Sequence, residues 1–353
     1  MSVRVYGRLI GYGSQAVVTR GFIEALGADR LRGIVVLDAS GSDTAELGLV
    51  PLHPLQDQGA YAEHGVFTGP LNQLPLMLNT SEHKRRSVMV APNSDWMPPR
   101  LLPAIADIAD EILTPSAWAA GILKSIFVQH PIRVVPHGVD RAYRPVRTNW
   151  LTSEYDQKRV TIMHFSTTEG ERKGTYELMQ AWRLIHESFP WAELVMVLDP
   201  GAQLRLLQRM MDEDIEKPPQ LRIIARMNLG PPMMRAIYAS AHLICQPSRG
   251  EAFGLVPLEA MCCGTPTVIT NCTGHTEYTP NAHFTEIKTG PMAPIDDGPG
   301  AMAPSVTPEA IATALDSALV HWKEFYRYTQ EQADRLYEEW SWPNALKPWL
   351  DSL

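Results

Sequence analysis

The chain has 353 residues, with 31 Lys and Arg against 39 Asp and Glu and a formal net charge of −8. That length suits two domains, each with its own core, and the acidic balance gives no bulk reason for a nucleic-acid or anionic-membrane partner. The longest apolar runs fall short of the ~18 residues that a spanning helix needs.

Residues 1–145 carry 13 basic against 13 acidic side chains, so residues 146–353, with 18 against 26, hold the whole excess. The start, Ser2 to Ile10, alternates like a strand and not like a secretory leader. Cys245, Cys262, Cys263 and Cys272 show no Cys-x-x-Cys spacing and read as buried thiols of a reducing compartment, so a cytoplasmic protein is expected.

Taken in chain order, strand signals fall at 3–10, 33–38, 87–92, 111–114 and 132–135, with helices at 14–26, 99–109 and 115–127 between them. A polar, Pro-containing link at Arg141–Arg147 precedes a restart at Val160–Phe165. Further strands are expected at 193–198, 221–224, 242–246 and 266–270. Residues 271–306, rich in Gly, Pro and Thr, read as loops. Thr307-Pro308-Glu309 is a helix start: a cap, a Pro at the first helical position and an early acid. That helix should run to about Leu319, a second should cover 322–339, and a last short helix should follow Trp340-Ser341-Trp342-Pro343. Repeated strand–helix–strand units predict parallel sheets with right-handed crossovers, in an α/β chain of two doubly wound Rossmann-like domains.

The most informative stretch is Ser248-Arg249-Gly250-Glu251-Ala252-Phe253-Gly254-Leu255-Val256-Pro257-Leu258-Glu259. A strand pattern leads into a glycine loop, then a helix, then Cys263-Gly264-Thr265-Pro266 and the next strand, which is a nucleotide-binding layout. Backbone amides at the helix N-terminus suit a phosphate. Glu251 before the helix and Glu259 about two turns inside it suit hydroxyls on either side. A diphosphate between two polyols, as in a nucleotide sugar, fits this arrangement.

The segment Pro247–Gly274 resembles the signature of the retaining GT-B glycosyltransferases of the large fourth family, with seven residues between its two glutamates, Phe-Gly inside and a Gly-x-Pro turn after the helix. Val135-Pro136-His137-Gly138-Val139-Asp140, Arg172-Lys173-Gly174 and Ile112-Leu113-Thr114-Pro115-Ser116 are similar to further elements of that family. The resemblance implies a GT-B fold: an acceptor-binding domain over 1–145, a nucleotide-sugar domain over 146–342 facing it across a cleft, and a final helix over 343–353 crossing back.

It also implies roles. Glu259 would take the ribose hydroxyls, and the amides of Gly254, Leu255 and Val256, beside Phe253, the diphosphate. Glu251 would hold the transferred sugar, and Lys173 would steady the leaving group. Base recognition is expected near Ala225-Arg226-Met227. Gly11, Gly13 and Ser14 would form a loop over the donor phosphates. Two positions depart from the family. Thr168 stands where relatives carry an Arg, so Arg172 is the candidate second cation. Asn93 stands where many carry a His, which makes Asp95 the nearest ionisable group and an acceptor-side candidate. His64 and His137 are further candidates, and Trp96 is a candidate for stacking on a sugar.

The expected activity is a retaining, metal-independent transfer from a UDP- or GDP-sugar, with no cofactor and with no metal assigned to Asp212-Glu213-Asp214. The acceptor stays open among a glycan, a small molecule and a hydroxymethylated DNA base, the last suggested by His83-Lys84-Arg85-Arg86. Oligomeric state is not written in these motifs. The other function classes are a GT-B epimerase or phosphorylase and a nucleotide-binding module without catalysis.

Overall fold

The structure, a computed structural model, describes residues 1–9, 14–36, 62–77, 83–146, 159–167, 171–225 and 229–353. It divides into two units: Met1–Pro92, Met97–Asp140 and Glu339–Leu353 form the first, and Asn93–Trp96 and Arg141–Glu338 the second.

The first unit contains β1 (Val3–Gly7), α1 (Ser14–Arg30), β2 (Leu31–Val36), β3 (His64–Phe67), β4 (Arg85–Met89), α2 (Leu102–Ile108), β5 (Glu111–Thr114), α3 (Ala117–Ile126) and β6 (Ile132–Val134). Its strands form one parallel sheet in the order β2-β1-β3-β4-β5-β6. Both faces are covered, as parallel sheets require: Val3 and Val5 of β1 pack with Phe22 on one side, and Tyr6 packs with Phe67 and Ile105 on the other. Gly27 interrupts α1 at φ 60, so the regular helix stops where the sequence pattern stops it.

The second unit contains β7 (Val160–Ser166), α4 (Thr175–Ile185), β8 (Ala192–Leu198), α5 (Pro200–Asp212), β9 (Leu221–Ala225), α6 (Pro231–Ser240), β10 (Leu243–Gln246), α7 (Leu255–Cys262), β11 (Thr267–Thr270) and β12 (Thr285–Ile287). After these come β13 (Met292–Pro294), β14 (Met302–Pro304), α8 (Pro308–Val320) and α9 (Trp322–Trp340). The main sheet is parallel, in the order β12-β11-β10-β7-β8-β9. Leu194, Met196 and Leu198 of β8 face a core shared with Leu178 and Trp182 of α4 and Leu315 of α8. Thr307 caps α8, its hydroxyl accepting from Ala310 N at 3.2 Å, with Pro308 next in line.

The last helix, α10 (Trp342–Leu350), belongs to the first unit, where Trp342, Leu346 and Trp349 pack with Val18, Phe22 and Val66. Each sheet has one strand more than the sequence pattern predicts, β3 in the first and β12 in the second. The expected loop over 271–306 is also corrected: it carries β12 and the antiparallel ribbon β13–β14. Among the described residues no helix is long and apolar enough to cross a membrane.

Three buried imidazoles have a predictable cost. Burial depresses His64 to about 4, with the Arg85 charge adding to it. Burial also takes His137 to about 3 and His164 to about 4. All three are neutral in the folded state, whereas the unfolded chain protonates near 6.5. The unfolded state therefore binds more protons below that pH, and the stability these groups contribute is lost as pH falls from about 6.5 toward 4. The thermal unfolding midpoint should be lower at pH 5 than at pH 7.5. An equal midpoint at the two pH values would contradict the neutral, buried assignment.

Candidate active site

The site candidates converge on the loop between β10 and α7. Gly254 caps α7 from a left-handed conformation (φ 89) and has no side chain to offer its first-turn amides. A β-carbon at Gly254 would stand 2.4 Å from His275 Nε2, so glycine is required for backbone angle and for space. Leu255 and Val256 form the half-buried first turn, and Pro257 to Cys262 are buried.

Glu251 is held from several sides. Its N–H donates to Thr273 Oγ1 at 3.1 Å, and its carbonyl accepts from Gly274 N at 2.8 Å. Its carboxylate takes a short hydrogen bond from Lys173 Nζ and lies 3.3 Å from Arg172 Nη1. The side chains are little exposed: 9% for Glu251, 15% for Lys173 and 5% for Arg172. Burial opposes ionisation of Glu251, but the charges of Lys173 and Arg172 outweigh it and hold the carboxyl below its usual range. Arg172 Nη1 also donates to the Gly250 carbonyl. Gly174, at φ 66, lets the Lys173 turn sit on Pro247, whose carbonyl a β-carbon would meet at 2.4 Å.

The lysine at the start of α4 therefore already has its anion. A phosphate is the expected anion for a cation there, and Glu251 is the one the structure sets beside it. Among the described residues, the Glu251 carboxylate lies between these two cations.

Two buried histidines beneath this loop escaped the sequence reading. His164 Nδ1 donates to the Cys245 carbonyl at 3.0 Å and its Nε2 accepts from Thr175 Oγ1 at 2.9 Å, which fixes the start of α4 against β10. His275 Nδ1 donates to the Thr270 carbonyl at 2.9 Å. Its Nε2, buried beside Gly254, has no hydrogen-bond partner among the described residues. The Gly-His pair after the β11 turn was the available signal.

Glu259 is 6% exposed, and its Oε2 accepts from Tyr238 OH at 2.9 Å. Phe253, a donor-side candidate, is 2% exposed and packs edge-on against Tyr278, so it also anchors the loop. Asn93 reaches the same loop, its Oδ1 accepting from Ala252 N at 3.3 Å. Asp95, the acceptor-side candidate, is exposed. It accepts from Met302 N at 2.7 Å, and Trp96 packs on Ile295, Ala301 and Ala303, not as an open stacking platform.

His64 and His137 are core groups of the first unit. His64 bonds Ser87 at 2.8 Å beneath Trp349, and the ring of His137 lies 5.8 Å from that of Trp342. Gly11, Gly13 and Arg226 lie outside the described residues, and Ser14 opens α1 with its side chain outside them. The acidic run at 212–214 ends α5, where Glu213 bonds Tyr176 and Arg209. The basic run at 83–86 meets carboxylates: Lys84 pairs with Glu63 at 3.1 Å, Arg86 with Asp110 at 3.3 Å, and Arg85 at 2.8 Å with Glu111, which Arg133 shares at 2.7 Å.

The family model for glycosyl transferases group 1 matches residues 159–319. This stretch is similar to that family over somewhat less than half of the chain. Over 181 residues the chain is 30% identical to a D-inositol 3-phosphate glycosyltransferase of Catenulispora acidiphila, covering 47% of this chain and 42% of that one. Over 162 residues it is 30% identical to an MMP alpha-(1->4)-mannosyltransferase of Mycolicibacterium hassiacum, covering 45% and 36%. The matches thus span less than half the length of these curated relatives.

Two solved structures agree along the whole chain. Sucrose-phosphate synthase of Thermosynechococcus elongatus has a TM-score of 0.72 at 16% identity, covering 100% of this chain and 98% of that one. Anabaena HepE, solved with UDP and glucose, has a TM-score of 0.71 at 14% identity, covering 100% and 99%. At such identities they establish the fold, which is GT-B. The matched stretch runs from β7 into α8 and takes in the loop that carries Glu251.

Proposed function

We propose that the protein is a retaining glycosyltransferase that moves a sugar from a UDP- or GDP-sugar to a hydroxyl acceptor. The observation that carries this reading is the buried cluster of Arg172 and Lys173 around Glu251, set at the uncapped N-terminus of α7. A donor diphosphate at the α7 amides would meet two cations and the helix dipole. Fixed charges of this kind are worth about 3 kcal/mol each in a developing transition state. Arg172 fills the role of the cation absent at Thr168, and Glu259 takes the ribose hydroxyls alongside Tyr238. A relative of the same fold solved with UDP and glucose supports the donor class.

In the proposed step the bond from the anomeric carbon to phosphate breaks and a bond to the acceptor oxygen forms on the same face. The departing phosphate oxygen takes the acceptor proton, so no pair of carboxyls is required, and Lys173 and Arg172 neutralise the leaving group without a metal. Retention rests on the family resemblance. The carboxylates beside Lys84, Arg85 and Arg86 weaken the case for a DNA acceptor, which a salt-dependent DNA affinity would restore.

Thermal melting with UDP, GDP, ADP and dTDP near millimolar concentration tests this reading. A ligand at a hundred times its dissociation constant stabilises by about 2.7 kcal/mol. One nucleotide should shift the native protein and leave Glu259→Ala unshifted. No shift with any nucleotide counts against the donor site, and an isomerised nucleotide sugar in the absence of acceptor would make the protein an epimerase.

A further inference from the structure

The second unit includes a tetrapeptide, Asn93–Trp96, whose chain neighbours belong to the first unit. Every residue of it is fastened within the second unit. The Asn93 carbonyl lies so close to Gly250 that a β-carbon there would stand 2.1 Å from it. Ser94 Oγ donates to the Asp297 carboxylate and accepts from Trp96 N at 3.3 Å. Asp95 Oδ1 accepts from Met302 N at 2.7 Å. The Trp96 ring covers Gly298, where a β-carbon would come within 2.3 Å of it.

All the partners of Ser94, Asp95 and Trp96 outside the tetrapeptide come from one element, the β13–β14 ribbon and its tip. The base of that ribbon is tied back to the donor loop by Arg249, which donates from Nε to the Pro304 carbonyl at 3.0 Å and from Nη2 to those of Ala293 and Pro294 at 3.1 and 3.0 Å. The ribbon thus grips the loop on one side through Arg249 and the tetrapeptide on the other through Asp95. Between them, Asn93 Oδ1 closes the ring on Ala252 N at 3.3 Å.

We propose that this ribbon is a clamp that positions the Asn93 carboxamide for the transferred sugar, with Asp95 as the positioning residue. The inference rests on the donor reading above and deepens it. The Ala252 amide can only donate, so it orients the carboxamide with its oxygen inward. Nδ2 is then the part that Asn93 offers a ligand, as a donor to sugar hydroxyl oxygens. A histidine at this place would present one ring nitrogen. The clamped amide presents two N–H groups and no charge, so its contact with the sugar is independent of pH.

Hydrogen exchange of the Ala252 amide, with binding of UDP and UDP-glucose, tests the clamp in the full chain. Asp95→Ala removes the acceptor for Met302 N and should speed exchange at Ala252 about threefold or more, since local opening is set by such fastenings. Asp95→Asn keeps an acceptor oxygen and should restore both native exchange and native binding. Asn93→Asp keeps the acceptor for Ala252 but loses the N–H donors. It should leave exchange and UDP affinity near native while lowering the preference for UDP-glucose over UDP. Unchanged exchange in Asp95→Ala overturns the clamp, and so does Asp95→Asn behaving like Asp95→Ala. Failure of the donor reading looks different: neither UDP nor UDP-glucose binds, and the exchange results still decide the clamp.

Discussion

Replacing Glu251 by Ala is expected to cost about 3–5 kcal/mol of stability, the range for a buried ion pair that loses one partner. Arg172 and Lys173 would then face one another at 5% and 15% exposure with their shared carboxylate gone. Like charges in a poorly solvated site repel. Removing Lys173 as well should return part of the loss, because one cation then remains in place of two, so the double variant should fall short of the sum of the single ones.

The pH dependence has a definite sign. The folded pKa of Glu251 lies below the ordinary 4.5, so its contribution is complete at neutral pH and is lost only as pH drops below about 4.5. Inorganic pyrophosphate should raise the melting point of Glu251→Ala more than that of the native protein, because the vacated place is an anion site between two cations. Urea unfolding of the native protein and the single and double variants, with and without pyrophosphate and at pH 7 and pH 4, reads these expectations. A cost below 1 kcal/mol for Glu251→Ala would show that the cluster is open to water and that the charge argument is wrong.

How far this site can be read from the sequence depends on how local each signal is. The left-handed turn at Gly254, the helix behind it and the strand beyond are local, and glycines mark both ends. The pairing of Lys173 with Glu251 spans 78 residues and exists because Gly174 seats its turn on Pro247. No spacing rule carries that information, so two residues assigned to two parts of a ligand turn out to hold each other. The fastening of Asp95 is hidden for the same reason, its partner Met302 being 207 residues away.

The β13–β14 ribbon is missed on different grounds. Both of its strands read Met-Ala-Pro, and Pro argues against a strand wherever an inner ladder needs its N–H. A two-stranded ribbon has only edges, which removes the objection. Strand β3, His-Gly-Val-Phe, is too short to show a period, and it is a strand because its neighbours β1 and β4 cover it on both sides.

The other large effect lies in the first unit. Trp342→Ala is expected to cost about 3–5 kcal/mol, as for other buried aromatic truncations. The indole is 1% exposed and sits among Phe22, Trp349 and the ring of His137. Its bed is built by omission. A β-carbon at Gly21 would stand 2.0 Å from Trp342 Cε2, and one at Gly138 would stand 2.5 Å from Trp342 Cα. Gly21 lies on α1, where glycine costs roughly 1 kcal/mol relative to alanine, so the helix gives up propensity to admit the ring.

Gly21→Ala alone should therefore destabilise by about 1–3 kcal/mol through overpacking, despite its better helix propensity. In the Trp342→Ala background the added methyl enters space the indole has left, and Gly21→Ala should become neutral or stabilising. Gly138→Ala should stay harmful in that background, because the atom it meets is the backbone Cα of residue 342. Urea unfolding of the full chain, followed by a probe in the first unit, separates the two cases. If Gly21→Ala costs the same with and without the indole, the glycine is there for the helix and not for the tryptophan, and the packing account of α10 fails.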